Sequence, residues 1–345
     1  MKPLRFARPL RPGDTIALTA PSSGVVEPLW RRLDLVAAHL RGLGFRVIEG
    51  DCLRSQVQDA SAPAEARAAE LQAFLLREDV AAVIPPWGGE RAIELIPRLD
   101  WAALAEAEPK WFLGFSDLST LMLPLLLVTG WGSAHGPNGM DLSPSQTDPL
   151  MRDVLKVLAT PAGEPVTQRG SARYQVQWTD FADDPAAALN LTEPTRWQAL
   201  HGEPHVECSG RLVGGCLDTV ARLAGSRYGD VPGFVRRHAA DGVLLYLENC
   251  EMAPVELLRA LWSLRLAGWF DGVSGVLLGR SAGPDVRDAQ RLNYRAAVEA
   301  VLADLPCPVL LDLDIGHRQP QFTLVNGALA TVRFEGDNGS ITQRW

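Results

Sequence analysis

Short runs of apolar, often β-branched residues alternate with segments of helical periodicity along most of this chain, and that alternation restricts its fold more than any other feature. Thr15-Ile16-Ala17-Leu18-Thr19-Ala20 ends at Pro21-Ser22-Ser23-Gly24 and reads as a buried strand running into a loop. Apolar residues at Leu33, Val36, Ala37 and Leu40 predict a helix over 29–43, stopped by Gly44. Phe45 to Glu49, Val80 to Ile84 and Trp111 to Phe115 read as further strands; Ala64 to Leu76 and Glu90 to Leu99 read as helices. Strands that alternate with helices pair in parallel and need cover on both faces. Such sheets bind ligands beyond the carboxyl ends of their strands, where Ser22, Gly88-Gly89 and Ser116 fall.

The alternation breaks between 160 and 207. Prolines, polar residues and isolated aromatics (Tyr174, Trp178, Phe181, Trp197) predict a long connection with a few strands of its own. It resumes with strands at Gly210 to Gly215, Val243 to Leu247, Val273 to Gly279 and Val309 to Leu311. Helices are expected over Pro254 to Leu266 and Ala289 to Leu305. The expected fold class is therefore α/β with two domains. An N-terminal parallel-sheet domain spans 1–160, a connecting segment spans 161–207, and a C-terminal α/β domain spans 208–345.

Composition narrows the partners. The 345 residues are 47% hydrophobic, enough for a substantial core, and the net charge of −8 disfavours nucleic acid and anionic lipid. Five cysteines, none in a CxxC pair, read as free thiols of a reducing compartment. No apolar stretch follows the basic first residues, and the run Leu118–Val128 is too short for a membrane span and holds Pro124. A cytoplasmic location and no membrane partner are expected. His201 and His205 have helical spacing, but Gly202 and Pro204 between them argue against a helix. No P-loop or dinucleotide fingerprint appears, so neither metal nor cofactor is expected.

The chemistry concentrates at Gly114-Phe115-Ser116-Asp117, between a strand and the apolar helix-like segment Leu118 to Leu127. A serine on a tight strand-to-helix turn projects its hydroxyl outward while the next amides point at whatever that hydroxyl attacks. A serine ahead of a helix is more often a plain N-cap, so Ser116 alone does not decide. Gly88-Gly89 permits close approach of backbone amides, either as a turn or as one arm of an oxyanion hole, with the Asp117 N–H as the other. Glu248 ends a strongly apolar strand and needs a buried partner. Of the six histidines, His317 in a polar loop after Gly316 is the first candidate for a base and His135 the second.

Taken in order, these segments resemble the LD-carboxypeptidase serine peptidases, which include murein tetrapeptide carboxypeptidases and microcin C immunity peptidases. Pro12 to Ser23 resembles the family's opening, Trp87-Gly88-Gly89-Glu90 its glycine pair, and Lys110 to Thr120 its nucleophile segment. Gly210 to Thr219 resembles the opening of its second domain, and Leu247-Glu248-Asn249 with Gly316-His317 its acid and histidine motifs. The resemblance covers nearly the whole chain. It implies Ser116 as nucleophile, His317 as base and Glu248 as the orienting acid; the functional reading of the glycine pair then places the oxyanion hole at Gly89 and Asp117. It also implies a homodimer that cleaves the amide before a C-terminal D-residue of murein peptides.

The microcin C branch implies instead a peptide-nucleotide substrate, with Trp178 or Trp197 stacking on the base. Hydrophobic anchoring of a long loop is the commoner role for such residues. Trp87 and Glu90 flank the glycines where murein-specific members resemble Arg-Gly-Gly-Tyr-Gly, which leans toward that branch. Gly88 and Arg91 are further substrate-binding candidates, Arg91 as a partner for a substrate carboxylate. A two-domain ligand-binding protein without catalysis is the alternative from another class.

Overall fold

A computed structural model describes residues 3–345. In the N-terminal half, β1 (Thr15–Leu18), β2 (Arg46–Glu49), β3 (Val80–Val83), β4 (Trp111–Gly114) and β5 (Ala134–His135) form a parallel sheet in the order β5-β4-β3-β1-β2. The helices α1 (Trp30–Gly42), α2 (Ala64–Leu76), α3 (Trp101–Glu106) and α4 (Ser119–Thr129) accompany it. β1, β3 and β4 are buried along their whole length, which is why their sequences are unbroken apolar runs rather than alternating ones. α1 instead alternates, burying Leu33, Val36, Ala37 and Leu40 on one face.

The second sheet is mixed. The strands 205–216, 243–248, 275–279 and 309–313 run parallel at its centre. Antiparallel strands flank them: 329–335, 338–344 and 166–169 on one side, 198–199 on the other. Two features tie the sheets together. Leu324–Val325 returns from the C-terminal half to pair with β5. The strand 205–216 passes so close to α4 that the Cys216 N–H donates to Ser119 Oγ at 3.0 Å. At Gly215, φ is 152° and a Cβ would lie 2.7 Å from the Ser119 side chain, so only glycine permits this approach.

α4 is apolar all round, and its residues from Ser119 to Leu127 are buried between these layers. Truncating a side chain such as Leu126, fully buried there, costs about 2–5 kcal/mol. The helix expected over 90–99 is a 3-10 helix, Ala92–Arg98. Pro97 lies inside it and supplies no N–H for a longer α-helical ladder. The hairpin Leu329–Glu335 and Asn338–Arg344 was not anticipated from the sequence, although Gly336 sits at its turn with φ 69°. Among the described residues, no helix is long and apolar enough to cross a membrane.

Candidate active site

The turn after β4 is sharp and strained. Gly114 has φ 154°, and a Cβ there would strike Leu118 and lie 2.7 Å from Asn138 Oδ1. Ser116 follows with φ 64°, a left-handed conformation uncommon for a residue with a side chain. Three anchors hold the turn against that strain. Asn138 Oδ1 accepts from the Phe115 N–H at 3.0 Å. The buried Asp117 carboxylate accepts from Ser22 Oγ at 2.6 Å and from the Ala92 N–H at 2.7 Å. Burial pushes the Asp117 carboxyl up from its ordinary value, and these hydrogen bonds oppose the rise.

Glu248 terminates a strand buried along all its residues, and His317 reaches it from the loop after Gly316. His317 Nδ1 lies 2.8 Å from Glu248 Oε2, and His317 Nε2 lies 3.0 Å from Ser116 Oγ. One imidazole thus joins the end of a strand in the second sheet to the turn at the end of β4. Gly316, at φ 88°, makes room for this: a Cβ there would clash with the Glu248 carboxylate. Asp218 pins the segment after Glu248 by accepting from the Cys250 and Glu251 N–H groups, each at 2.9 Å.

Burial acts against both charges of the pair, but their mutual attraction prevails. The Glu248 carboxyl is held below its usual range by the His317 charge and hydrogen bond, and a contact from the Cys216 thiol adds to the effect. The His317 imidazole is raised well above its ordinary value, chiefly by the Glu248 carboxylate, with a contribution from Cys250.

The Gly88-Gly89 segment lies against the Ser116 turn. Gly88 packs so tightly on the turn that a Cβ would lie 2.8 Å from Ser116 Cβ and 2.9 Å from the Asp117 nitrogen. A cleft of about 400 Å³ opens at Ser116 and His317, walled by Trp87, Met140, Trp178 and Phe181.

Among the expected substrate contacts, Gly88 and Trp178 line this cleft, and Trp178 is 53% exposed. Trp197 does not. It is 1% exposed, donates from Nε1 to Asp314 Oδ2 at 2.9 Å and packs edge-on against Phe322, so it is a core residue of the second sheet. Arg91 is also absent from the cleft wall: its guanidinium is engaged by Glu94 Oε1 at 2.7 Å and the Gln58 carbonyl at 2.7 Å. Trp87, Phe181 and Met140 were not anticipated, because their convergence depends on three separate loops. The described residues offer one group able to hold a metal: Cys216, Glu248 and His317, with ligand atoms within 4.8 Å of one another. Coordination there would compete for atoms that already bond each other.

Comparison with known proteins defines the class as peptidase. Sequence models of the LD-carboxypeptidase N-terminal and C-terminal domains match residues 16–136 and 209–332. The chain belongs to the LD-carboxypeptidase family. It is 30% identical to a putative carboxypeptidase of Streptomyces coelicolor over 99% of this chain and 96% of that one. It is 26% identical to the microcin C7 self-immunity protein MccF of Escherichia coli, over 99% and 96%. It is 25% identical to the murein tetrapeptide carboxypeptidase of Pseudomonas aeruginosa, over 88% and 87%. A solved mutant form of MccF in complex with adenosine monophosphate shares the fold, with TM-score 0.81 and 25% identity over 98% of both chains.

Proposed function

We propose that this protein is a serine peptidase that hydrolyses the amide before the C-terminal D-residue of a murein-type peptide, through a Ser116–His317–Glu248 triad. The supporting observation is the unbroken relay from Ser116 Oγ through His317 to Glu248, at 3.0 and 2.8 Å, on a strained turn.

The Ser116 hydroxyl donates its proton to His317 Nε2 as Oγ bonds to the scissile carbonyl carbon. The imidazolium is stabilised by Glu248, which accepts from Nδ1–H and so fixes the tautomer. The carbonyl oxygen, now negative, is received by the Gly89 and Asp117 N–H groups. His317 then gives its proton to the leaving amine as the C–N bond breaks. Water, deprotonated by the same imidazole, hydrolyses the acyl-enzyme. No step needs a metal or cofactor.

The aromatic cleft favours a second substrate class. Trp87, Trp178 and Phe181 offer flat apolar faces beside Ser116, suited to a base-bearing amide. The microcin C7 relative has been solved with adenosine monophosphate, in keeping with that reading. Incubation of wild-type and Ser116→Ala protein with murein tetrapeptide and with an aminoacyl sulfamoyl adenosine, followed by mass spectrometry, tests the proposal. Wild-type-only release of the terminal D-residue supports the first reading, and wild-type-only cleavage of the nucleotide conjugate the second. Turnover that survives in Ser116→Ala overturns both. Ligand binding without turnover in the wild type would leave a binding protein.

A further inference from the structure

His135, the second candidate base in the sequence, stands outside the relay. It lies on β5 in register with Gly114 of β4 and Leu324 on its other side, and it is 1% exposed. Its ring stands edge-on to Tyr246 at 5.1 Å and to Phe115 at 6.2 Å, and Phe115 packs against His317 at 4.8 Å. Tyr246 precedes Glu248 by two residues on one strand, so both side chains leave the same face. His135 therefore sits behind the pair, close enough for its charge state to interact with both Glu248 and His317.

Several buried polar atoms of the neighbouring segments are unpaired. Among the described residues, neither ring nitrogen of His135 has a hydrogen-bond partner, nor do Glu248 Oε1, Gln321 Nε2 and Thr323 Oγ1, all buried. Beyond His317, the Cys216 thiol lies near Glu248 but donates, weakly, to Asp218 Oδ2 at 3.7 Å. Two contacts relate these residues. Gln321 Oε1 accepts from the Gly316 N–H at 3.3 Å, and Gly316 abuts the Glu248 carboxylate. A Cβ on Gly136, next to His135, would lie 2.9 Å from Thr323 Oγ1. An unpaired buried polar group costs about 1–3 kcal/mol, and an internal water with two to four polar partners is the usual remedy.

We propose that an ordered water, held by His135, Gln321 and Thr323, donates a hydrogen bond to Glu248 Oε1, making His135 a positioning residue for the Glu248–His317 pair. The inference rests on the triad reading above. The water accepts from Gln321 Nε2–H and from the Thr323 hydroxyl, and donates one proton to Glu248 Oε1 and the other to the bare nitrogen of a neutral His135. Burial supports that neutrality by pushing the His135 imidazole down to about 4. The other titratable groups facing the pair are Cys250 and Asp141 toward His317, and Cys216 and Tyr246 toward Glu248.

The test reads Ser116 directly, by the rate of covalent labelling with a fluorophosphonate across pH. His135→Phe keeps a ring but removes both nitrogens. Its labelling should slow about tenfold, the scale of one hydrogen bond to a charged group. The acid limb should also move to higher pH. An unsupported Glu248 carboxylate is costlier when His317 is neutral, so the imidazolium keeps its proton longer. His135→Gln, which restores a donor and an acceptor, should recover most of the rate, and a high-resolution crystal structure of the wild type should show the water. If His135→Phe does not fold, Thr323→Val and Gln321→Leu should shift the limb the same way. Failure of the wild type to label would overturn the triad reading. A wild type that labels, with variants matching it in rate and limb or with no water at Glu248 Oε1, would overturn this inference alone.

Discussion

Gly88→Ala isolates the geometry of the proposed site from its chemistry, because it adds one methyl group and removes no functional atom. Gly88 is not in the left-handed region, so its backbone accepts alanine. The added Cβ would lie 2.8 Å from Ser116 Cβ, 2.9 Å from the Asp117 nitrogen and 3.0 Å from Ser116 Oγ. Carbon atoms rest at about 3.5–4.0 Å, so the contact with Ser116 Cβ is short by about 0.7 Å or more. Asp117 cannot step aside, since Ser22 and Ala92 hold its carboxylate. The displacement therefore falls on the Ser116 hydroxyl and on the Gly88-Gly89 amides. A shift approaching 1 Å at reacting atoms costs on the order of 10²-fold in rate, or about 2.7 kcal/mol. The overpacking costs about 1–3 kcal/mol of stability. Second-order labelling of Ser116 by a fluorophosphonate, with a urea melt of the same preparation, separates the two effects. Labelling within about twofold of wild type in a folded Gly88→Ala protein would refute the placement of the attack site between Gly88 and Asp117.

Activity should rise with pH through the raised His317 value, because the base must be neutral, and its acid limb should lie above that of an ordinary histidine; a kcat/KM profile checks this. Stability follows the same pair. The His317 contribution is full below its unfolded value and is lost as pH rises through its raised folded value. The Glu248 contribution is present above its unfolded value and is lost as pH falls through its lowered one. Urea melts of wild type and His317→Gln should therefore converge at alkaline pH. Trp178→Ala should raise KM for a nucleotide conjugate by about tenfold or more, the scale of one stacked base, while KM for a tetrapeptide and the melting temperature stay near wild type. Trp197→Phe removes the indole donor from Asp314, which then relies on Arg280 at 3.0 Å and on Ser171; about 1.5–3 kcal/mol of stability should be lost with little change in activity.

The alternating pattern was legible because buried parallel strands leave an unmistakable mark, as at Val80–Val83, and because Ala- and Glu-rich composition marks Ala64–Leu76 and a first-turn proline marks Pro254–Leu266. Ser116 and Glu248 stood out for a related reason: each ends or follows an apolar element where a polar side chain needs a purpose, while His317 stood out as a histidine in a polar loop after a glycine. Contacts across loops left no such mark. Trp178 and Trp197 look alike in the sequence, both tryptophans in a polar stretch. Only the antiparallel addition of Gln198–Ala199 to the second sheet buries Trp197 beside Asp314 and leaves Trp178 in the cleft. Arg91 was drawn away by Glu94, an i, i+3 neighbour that would have suggested the ion pair had a helical turn been followed through. The unpaired surroundings of His135 depend on β5 lying between β4 and Leu324–Val325, a pairing of segments far apart in the chain.

The central claim is that Ser116 forms the covalent bond to substrate. Rapid acid quenching of wild-type protein mixed with murein tetrapeptide, and separately with the aminoacyl nucleotide, followed by peptide mapping by mass spectrometry, tests it most directly. The account predicts an acyl adduct on the peptide carrying Ser116, absent from Ser116→Ala. Steady turnover with no adduct on that peptide, persisting in Ser116→Ala, would contradict it.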